Sequence, residues 1–76
     1  MFAIYKFVSL QKKYLVLSGH KDNQCLDWIG YGHSATIFQS IEQVETALEV
    51  HKLLTTRQLY IYSLKTGESK TWREIR

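Results

Sequence analysis

The chain has 76 residues, of which 45% are hydrophobic and 22% are charged, and its formal net charge is +3 at pH 7. A chain of this length has room for one core, so we expect a single domain over residues 1–76 without a second lobe to complete a deep cleft. The apolar fraction excludes disorder as the main state. No stretch approaches the roughly 18 consecutive apolar residues of a membrane span, so we expect no membrane partner.

Cysteine usage and the first residues bear on the compartment. Cys25 is the only cysteine and cannot form an intrachain disulfide, which fits a reducing environment. The residues after Met1 form no basic leader, no long apolar region and no small-residue cleavage site, so no secretory signal is expected. These features predict a cytoplasmic protein.

The first part of the chain predicts a β-hairpin. Aromatic and branched residues dominate from Phe2 to Leu10, the polar residues 11–13 interrupt them, and Tyr14 to Ser18 resumes the pattern. We therefore expect two antiparallel strands with a polar connection. Both alternating sets of side chains in the first strand are largely apolar, so the sequence does not decide which of its faces is buried. The polar residues 19–27 predict an exposed loop, and a short strand near Trp28 is expected after it.

Ser40 marks the start of the one predicted helix. Its hydroxyl can accept a hydrogen bond from the backbone of Gln43, whose side chain can return the bond as a capping box. Apolar residues then recur at intervals of three and four and define one helix face: Ile41, Val44, Ala47, Leu48, His51 and Leu54, widened by Val50 and Leu53. Three glutamates with helical spacing predict a solvent-facing acidic ridge, made of Glu42, Glu45 and Glu49.

The end of the chain predicts two more strands. Residues 58–64 alternate, with Leu59 and Ile61 on one side and Tyr60 and Tyr62 on the other. A turn containing Gly67 precedes a last strand predicted over residues 69–75.

The predicted fold class is therefore α+β, a four- to five-stranded antiparallel sheet with one helix packed on one face, in the order β-β-(β)-α-β-β. A single helix covers only one face of such a sheet. The other face must meet water, a second subunit or a partner.

Residue types that bind metals or act as nucleophiles are concentrated before the helix. His20, Asp22, Cys25, Asp27 and His33 lack the paired spacing of a zinc site, so a solvated loop is favoured and no metal or cofactor is expected. A Cys-His pair could form a nucleophile, but nothing in the sequence supplies an oxyanion hole, and a partly buried structural cysteine is favoured. We expect no catalytic residue and no enzymatic activity.

Two kinds of binding surface remain open. The acidic ridge could dock on a basic groove of a partner protein, and Tyr60 and Tyr62 could contact a protein from the uncovered sheet face. The alternative is nucleic-acid binding by a basic, aromatic sheet face, in which rings stack on bases and cations neutralise phosphates. Its candidate residues are Tyr60, Tyr62, Lys70, Trp72 and Arg73. A homodimer closed through the uncovered sheet face is compatible with either function.

Three segments of the chain carry a resemblance to known proteins. Residues 35–42 (ATIFQSIE), the later run Leu59–Tyr62, and the hairpin ending at Tyr14–Val16 resemble short proteins of phages and mobile elements, including anti-CRISPR proteins and other inhibitors of bacterial defence. No diagnostic motif is present, so no binding residue is transferred. The resemblance implies a small non-catalytic inhibitor or adaptor, acting in the host cytoplasm on a bacterial protein or nucleoprotein complex such as a nuclease or CRISPR-type defence complex.

Overall fold

A computed structural model describes residues 1–20, 23–55 and 58–75. Its strands form one antiparallel sheet in the order β3-β2-β1-β4-β5, so the predicted α+β class is confirmed. The strands are β1 (Phe2–Val8), β2 (Gln11–Ser18), β3 (Cys25–Ile29), β4 (Tyr60–Ser63) and β5 (Ser69–Thr71). The helices are α1 (Ile41–Val50) and α2 (Trp72–Ile75), and a 3₁₀ turn spans Gly32–Ser34. Neither helix in these ranges has the length and apolar character needed to cross a membrane.

A turn of two residues, Ser9 and Leu10, joins β1 to β2, because Val8 pairs with Gln11. Both turn residues have positive φ, 50° and 69°, as in the type I′ turns that match the twist of a hairpin. The predicted interruption at residues 11–13 was wrong, since these residues lie within β2. The hairpin lacks the Asn-Gly pair that marks such turns in a sequence, and a residue other than glycine in this conformation costs about 1–2 kcal/mol.

The segment before α1 lies between the diverging ends of β1 and β2. Phe2 and Phe38 exchange two backbone hydrogen bonds, of 2.7 and 2.8 Å. The Thr36 N–H donates to the Leu15 carbonyl at 3.1 Å, and the Thr36 hydroxyl accepts from the Leu17 N–H at 2.8 Å. This segment supplies hydrogen-bond partners to backbone groups of β1 and β2 where the two strands no longer pair with each other. It also brings Phe38 into the core.

Capping defines where α1 begins. The Ser40 hydroxyl accepts from the Gln43 N–H at 3.2 Å, which confirms the predicted N-cap. The returning bond differs from the prediction, because the Gln43 side chain accepts from the backbone of Gln39, at 2.9 Å, and not from Ser40.

The end of α1 is a Schellman motif. The Leu53 N–H donates to the Leu48 carbonyl at 2.7 Å, and the Lys52 N–H donates to the Glu49 carbonyl at 3.1 Å. Lys52 takes the left-handed position, with φ of 59°, where glycine is usual. The helix therefore ends at Val50, and the predicted stripe does not run on as helix to Leu54.

The core lies between α1 and one face of the sheet, and this arrangement settles the open question about β1. Ile4 faces the core, whereas Ala3, Tyr5 and Phe7 point to the opposite side. The predicted alternation of β4 is confirmed, since Leu59 and Ile61 are buried in the core. The fully buried centre comprises Ile4, Leu15, Val44, Leu48, Leu59 and Ile61.

The predicted last strand is wrong beyond Thr71, where α2 begins. The Thr71 hydroxyl accepts from the Glu74 N–H at 3.3 Å, and the Glu74 carboxylate accepts from the Thr71 N–H at 3.0 Å. This capping box starts a helical turn and places Trp72, which is 3% exposed, in the core. The predicted loop over residues 19–27 is also shorter than expected, because β3 starts at Cys25; residues 21 and 22 lie outside the described ranges.

Candidate functional site: an aromatic sheet face

Strand register gathers five aromatic side chains on the sheet face opposite α1. Tyr5 pairs with Tyr14 of β2 on one side and with Tyr60 of β4 on the other, so the three tyrosines form a row across three strands. Phe7 follows Tyr5 on the same side of β1, and Tyr62 follows Tyr60 on the same side of β4, because alternate residues share a face. We call these five residues the aromatic face.

Four rings of the aromatic face, those of Tyr5, Phe7, Tyr14 and Tyr60, pack against one another. Tyr5 and Tyr60 are stacked, with centroids 5.0 Å apart and an interplanar angle of 6°. Phe7 meets both rings edge-on, at 5.8 and 5.6 Å, and the Tyr14 ring lies 5.7 Å from that of Tyr5. Such pairs each contribute about 0.5–1.5 kcal/mol beyond their burial. Tyr5 is consequently only 5% exposed, and the cluster forms a preorganised apolar surface.

A groove of about 510 Å³ lies beside these rings. Ala3 is part of its lining and carries only a methyl group next to the larger tyrosines. Ile37 and Leu64 also line it and are 38% and 45% exposed. Tyr14 and Tyr62 complete its apolar lining. The groove can therefore receive an apolar side chain from another molecule.

The 3₁₀ turn borders the aromatic face on the β2 side. A Cβ atom on Gly32 would lie 3.2 Å from Cζ of Tyr14, so glycine permits a close approach of the turn to this ring. Tyr31, immediately before the turn, is 67% exposed and lies 5.7 Å from the His33 ring. The apolar surface therefore continues past the sheet at this border.

One cation lies directly against the aromatic face. The Lys12 Nζ atom is 4.5 Å from the Tyr5 ring centroid, within the range of a cation–π contact. Lys12 also lines the groove beside Ala3. An apolar partner that carries a carboxylate near its point of entry would complement this arrangement.

The edges of the sheet, in contrast, are poorly suited to strand addition. The Leu15 carbonyl is directed at Thr36, so Trp28, opposite Leu15, turns its N–H to the open edge of β3. The Asp27 carboxylate accepts from that N–H at 2.8 Å and occupies it. The other edge strand, β5, has three residues. Short edges and edge charges discourage pairing with another chain.

The structure separates the predicted protein-binding residues into two surfaces. Tyr60 and Tyr62 belong to the aromatic face. The three glutamates of the acidic ridge are exposed on α1, on the other side of the sheet. The sequence left open whether Tyr5, Phe7 and Tyr14 share the face of Tyr60 and Tyr62. The register of β1 against β2 and β4 places all three there.

The five residues of the nucleic-acid alternative are not brought together. Lys70 pairs with Ile61, which places it on the α1 side of the sheet. Trp72 is buried in the core, and Arg73 is exposed on α2. The aromatic face therefore keeps only Tyr60 and Tyr62 from this set.

The structure describes four of the five candidate metal ligands that precede α1: His20, Cys25, Asp27 and His33. Within residues 1–20, 23–55 and 58–75, no three His, Cys, Asp or Glu side chains are grouped so that they could hold an ion. Cys25 is exposed at the start of β3, which corrects the expectation of a partly buried cysteine. Asp22 lies outside the described residues.

Comparison with models of protein families, with curated proteins and with solved structures found no match. The resemblance to inhibitors of bacterial defence therefore stays a prediction.

Proposed function

We propose that this chain is a non-catalytic protein-binding module and that its partner docks on the aromatic face. The observation that carries the proposal is the cluster of five aromatic side chains, held in register on the sheet face that α1 leaves uncovered. Exposed apolar surface next to a groove is typical of interaction sites, and tyrosine is among the residues that contribute most to protein interfaces.

The ring geometry favours a protein partner over stacked bases. Base stacking needs open ring faces. Tyr5 and Tyr60 stack on each other, and Phe7 meets them edge-on, so ring faces are used within the cluster. Such a closed cluster is suited to packing against an apolar surface, with a partner side chain in the groove beside Ala3.

A pull-down from bacterial lysate with matched variants tests the docking surface. Ile37→Glu with Leu64→Glu places charge on two exposed groove residues, and Val50→Glu is the control because Val50 is 63% exposed on α1. A partner should be retained by the wild type and by the control and lost with the groove variant. Retention by the groove variant would contradict the proposal. Loss only on reversal of the acidic ridge, Glu42, Glu45 and Glu49→Lys, would assign docking to α1.

The class of target follows from the sequence resemblance. We propose a bacterial nuclease or CRISPR-type defence complex as the partner and inhibition as the outcome of binding. Titrating the captured nuclease with this chain should abolish DNA or RNA cleavage at a molar ratio of about one chain per nuclease. Unchanged cleavage when the nuclease is saturated would rule out inhibition and would favour the adaptor role. The isolated chain can also be examined by sedimentation. If the wild type is a dimer and the groove variant is a monomer, the aromatic face serves self-association.

A further inference from the structure

The end of the β1–β2 hairpin projects from the sheet as a ribbon of two strands. The last pair that β1 makes with β4 is Tyr5 with Tyr60, and the last pair that β2 makes with β3 is Tyr14 with Ile29. Beyond them, residues 6–13 pair only with each other within the part of the chain that the structure describes. At about 3.3 Å per residue, the ribbon extends about 13 Å past Tyr5.

The tip of this ribbon is apolar and strained. Leu10 is 96% exposed and has a φ of 69°, a conformation that leucine rarely adopts. Val8 and Phe7, just behind it, are 44% and 51% exposed. A polar residue or glycine would satisfy this turn better, and the exposed leucine leaves an apolar side chain free to contact another molecule.

Cations lie behind the tip on both sides of the ribbon. Lys12 pairs with Phe7 and shares its side of the ribbon. Lys6 pairs with Lys13 in the adjacent position, so these two lysines lie on the other side. The first 20 residues contain these three lysines and no Asp or Glu, so the ribbon carries an uncompensated positive charge. An anionic partner that offers apolar contact ahead of the charges would complement this ribbon.

We propose that this ribbon binds duplex DNA by entering the major groove with Leu10 leading. The major groove of B-form DNA, about 12 Å wide and 8.5 Å deep, admits a ribbon of two strands. Lys12 and Lys13 lie about 7–10 Å behind Leu10, so their ammonium groups reach the phosphates when Leu10 touches the base edges. Thymine methyl groups supply the apolar contact there. Lysines on both sides of the ribbon serve the phosphates on both walls.

Two of these lysines change position on binding. In the free protein the Lys6 Nζ atom lies 4.2 Å from the Trp28 ring centroid, and the Lys12 Nζ atom lies 4.5 Å from that of Tyr5. The flexible four-carbon stem of lysine lets each ammonium leave its ring and turn to a phosphate. The ribbon shares Lys12 with the groove beside Ala3 and Phe7 with the aromatic face, whereas Leu10, Lys6 and Lys13 lie outside both.

Fluorescence anisotropy with a labelled 20-base-pair DNA duplex tests the proposal. Three phosphate contacts predict a log–log salt slope of about −2.7, which is about a twentyfold loss of affinity between 50 and 150 mM KCl. Lys12→Glu with Lys13→Glu should weaken binding at least tenfold. Lys65→Glu with Lys70→Glu makes the same change in net charge away from the ribbon and should cost less than threefold.

Leu10→Gly separates the apolar contact from folding, because it removes the side chain and relaxes the strained turn. It should weaken DNA binding about fivefold or more while the protein stays folded. The matching RNA duplex should bind more weakly, since its major groove is deep and narrow. Absence of DNA binding at 50 mM KCl, equal losses with the two charge variants, or full affinity of Leu10→Gly would overturn the proposal. Equally tight binding of polyglutamate would also overturn it and would assign the ribbon to acidic polypeptides.

Discussion

Replacing Leu10 with glycine removes an apolar side chain, yet we expect it to stabilise the fold. Leu10 is 96% exposed, so its deletion sacrifices almost no burial. Relief of the left-handed conformation should raise the free energy of unfolding by about 1–2 kcal/mol. The greater freedom of glycine in the unfolded chain should lower it by about 0.5–1 kcal/mol. The net gain is about 0.5–1 kcal/mol, or about 2–8 °C in Tm for a domain of this size.

Thermal and urea unfolding, followed by circular dichroism and tryptophan fluorescence, measure this gain. Leu10→Ala is the matched control, because it removes the side chain but keeps the Cβ atom that causes the strain. The alanine variant should unfold close to the wild type. If the two variants unfold together, or if the glycine variant is the less stable, backbone strain at Leu10 does not limit the stability of the fold.

Three further substitutions address α1 and the core, each measured by urea unfolding. Lys52→Gly should stabilise by about 0.5–1 kcal/mol, because it relieves the left-handed residue of the Schellman motif; an unchanged midpoint would argue against strain there. Ser40→Ala should cost about 1 kcal/mol through loss of the N-cap bond, and Ser40→Asp should keep most of the stability. Leu48→Ala should cost about 2–5 kcal/mol, whereas exposed Val50→Ala should stay within about 0.5 kcal/mol; similar values for both would contradict the assignment of the core.

Local patterns in the sequence identify the elements whose signals lie within a few residues. The Ser40 cap and the apolar spacing of Val44 and Leu48 predict α1, because both depend on contacts within one or two helical turns. The alternation of Leu59 to Tyr62 likewise predicts a strand with two distinct faces. The fold class follows from these elements, since one helix and several strands have few ways to share a core.

Local residue preferences predict the wrong structure at two places in the chain. Ser9 and Leu10 form a tight turn without glycine, so the sequence pattern predicts a hairpin connection that begins two residues too late. The strand predicted over Thr71 to Glu74 is wrong because β-branched and aromatic residues there favour strand, although the two residues also form a capping box. At the hairpin, the pairing of β1 with β2 overrides residue preference, whereas at Thr71 a local capping signal prevails over the local preference for strand.

The acidic ridge was predictable, because helical spacing alone places three glutamates along one side of α1. The aromatic face was not, although the sequence contains every ring. Whether Tyr5 faces the core or the open side depends on how β1 pairs with β2 and β4, and a shift of one residue would move its whole set of side chains to the other face. Ile4, Leu15 and Ile61 pack beneath α1 and fix that register through long-range contacts. The sequence by itself thus determined the elements and the α+β class, and only the tertiary structure decided which side chains meet to form a binding surface.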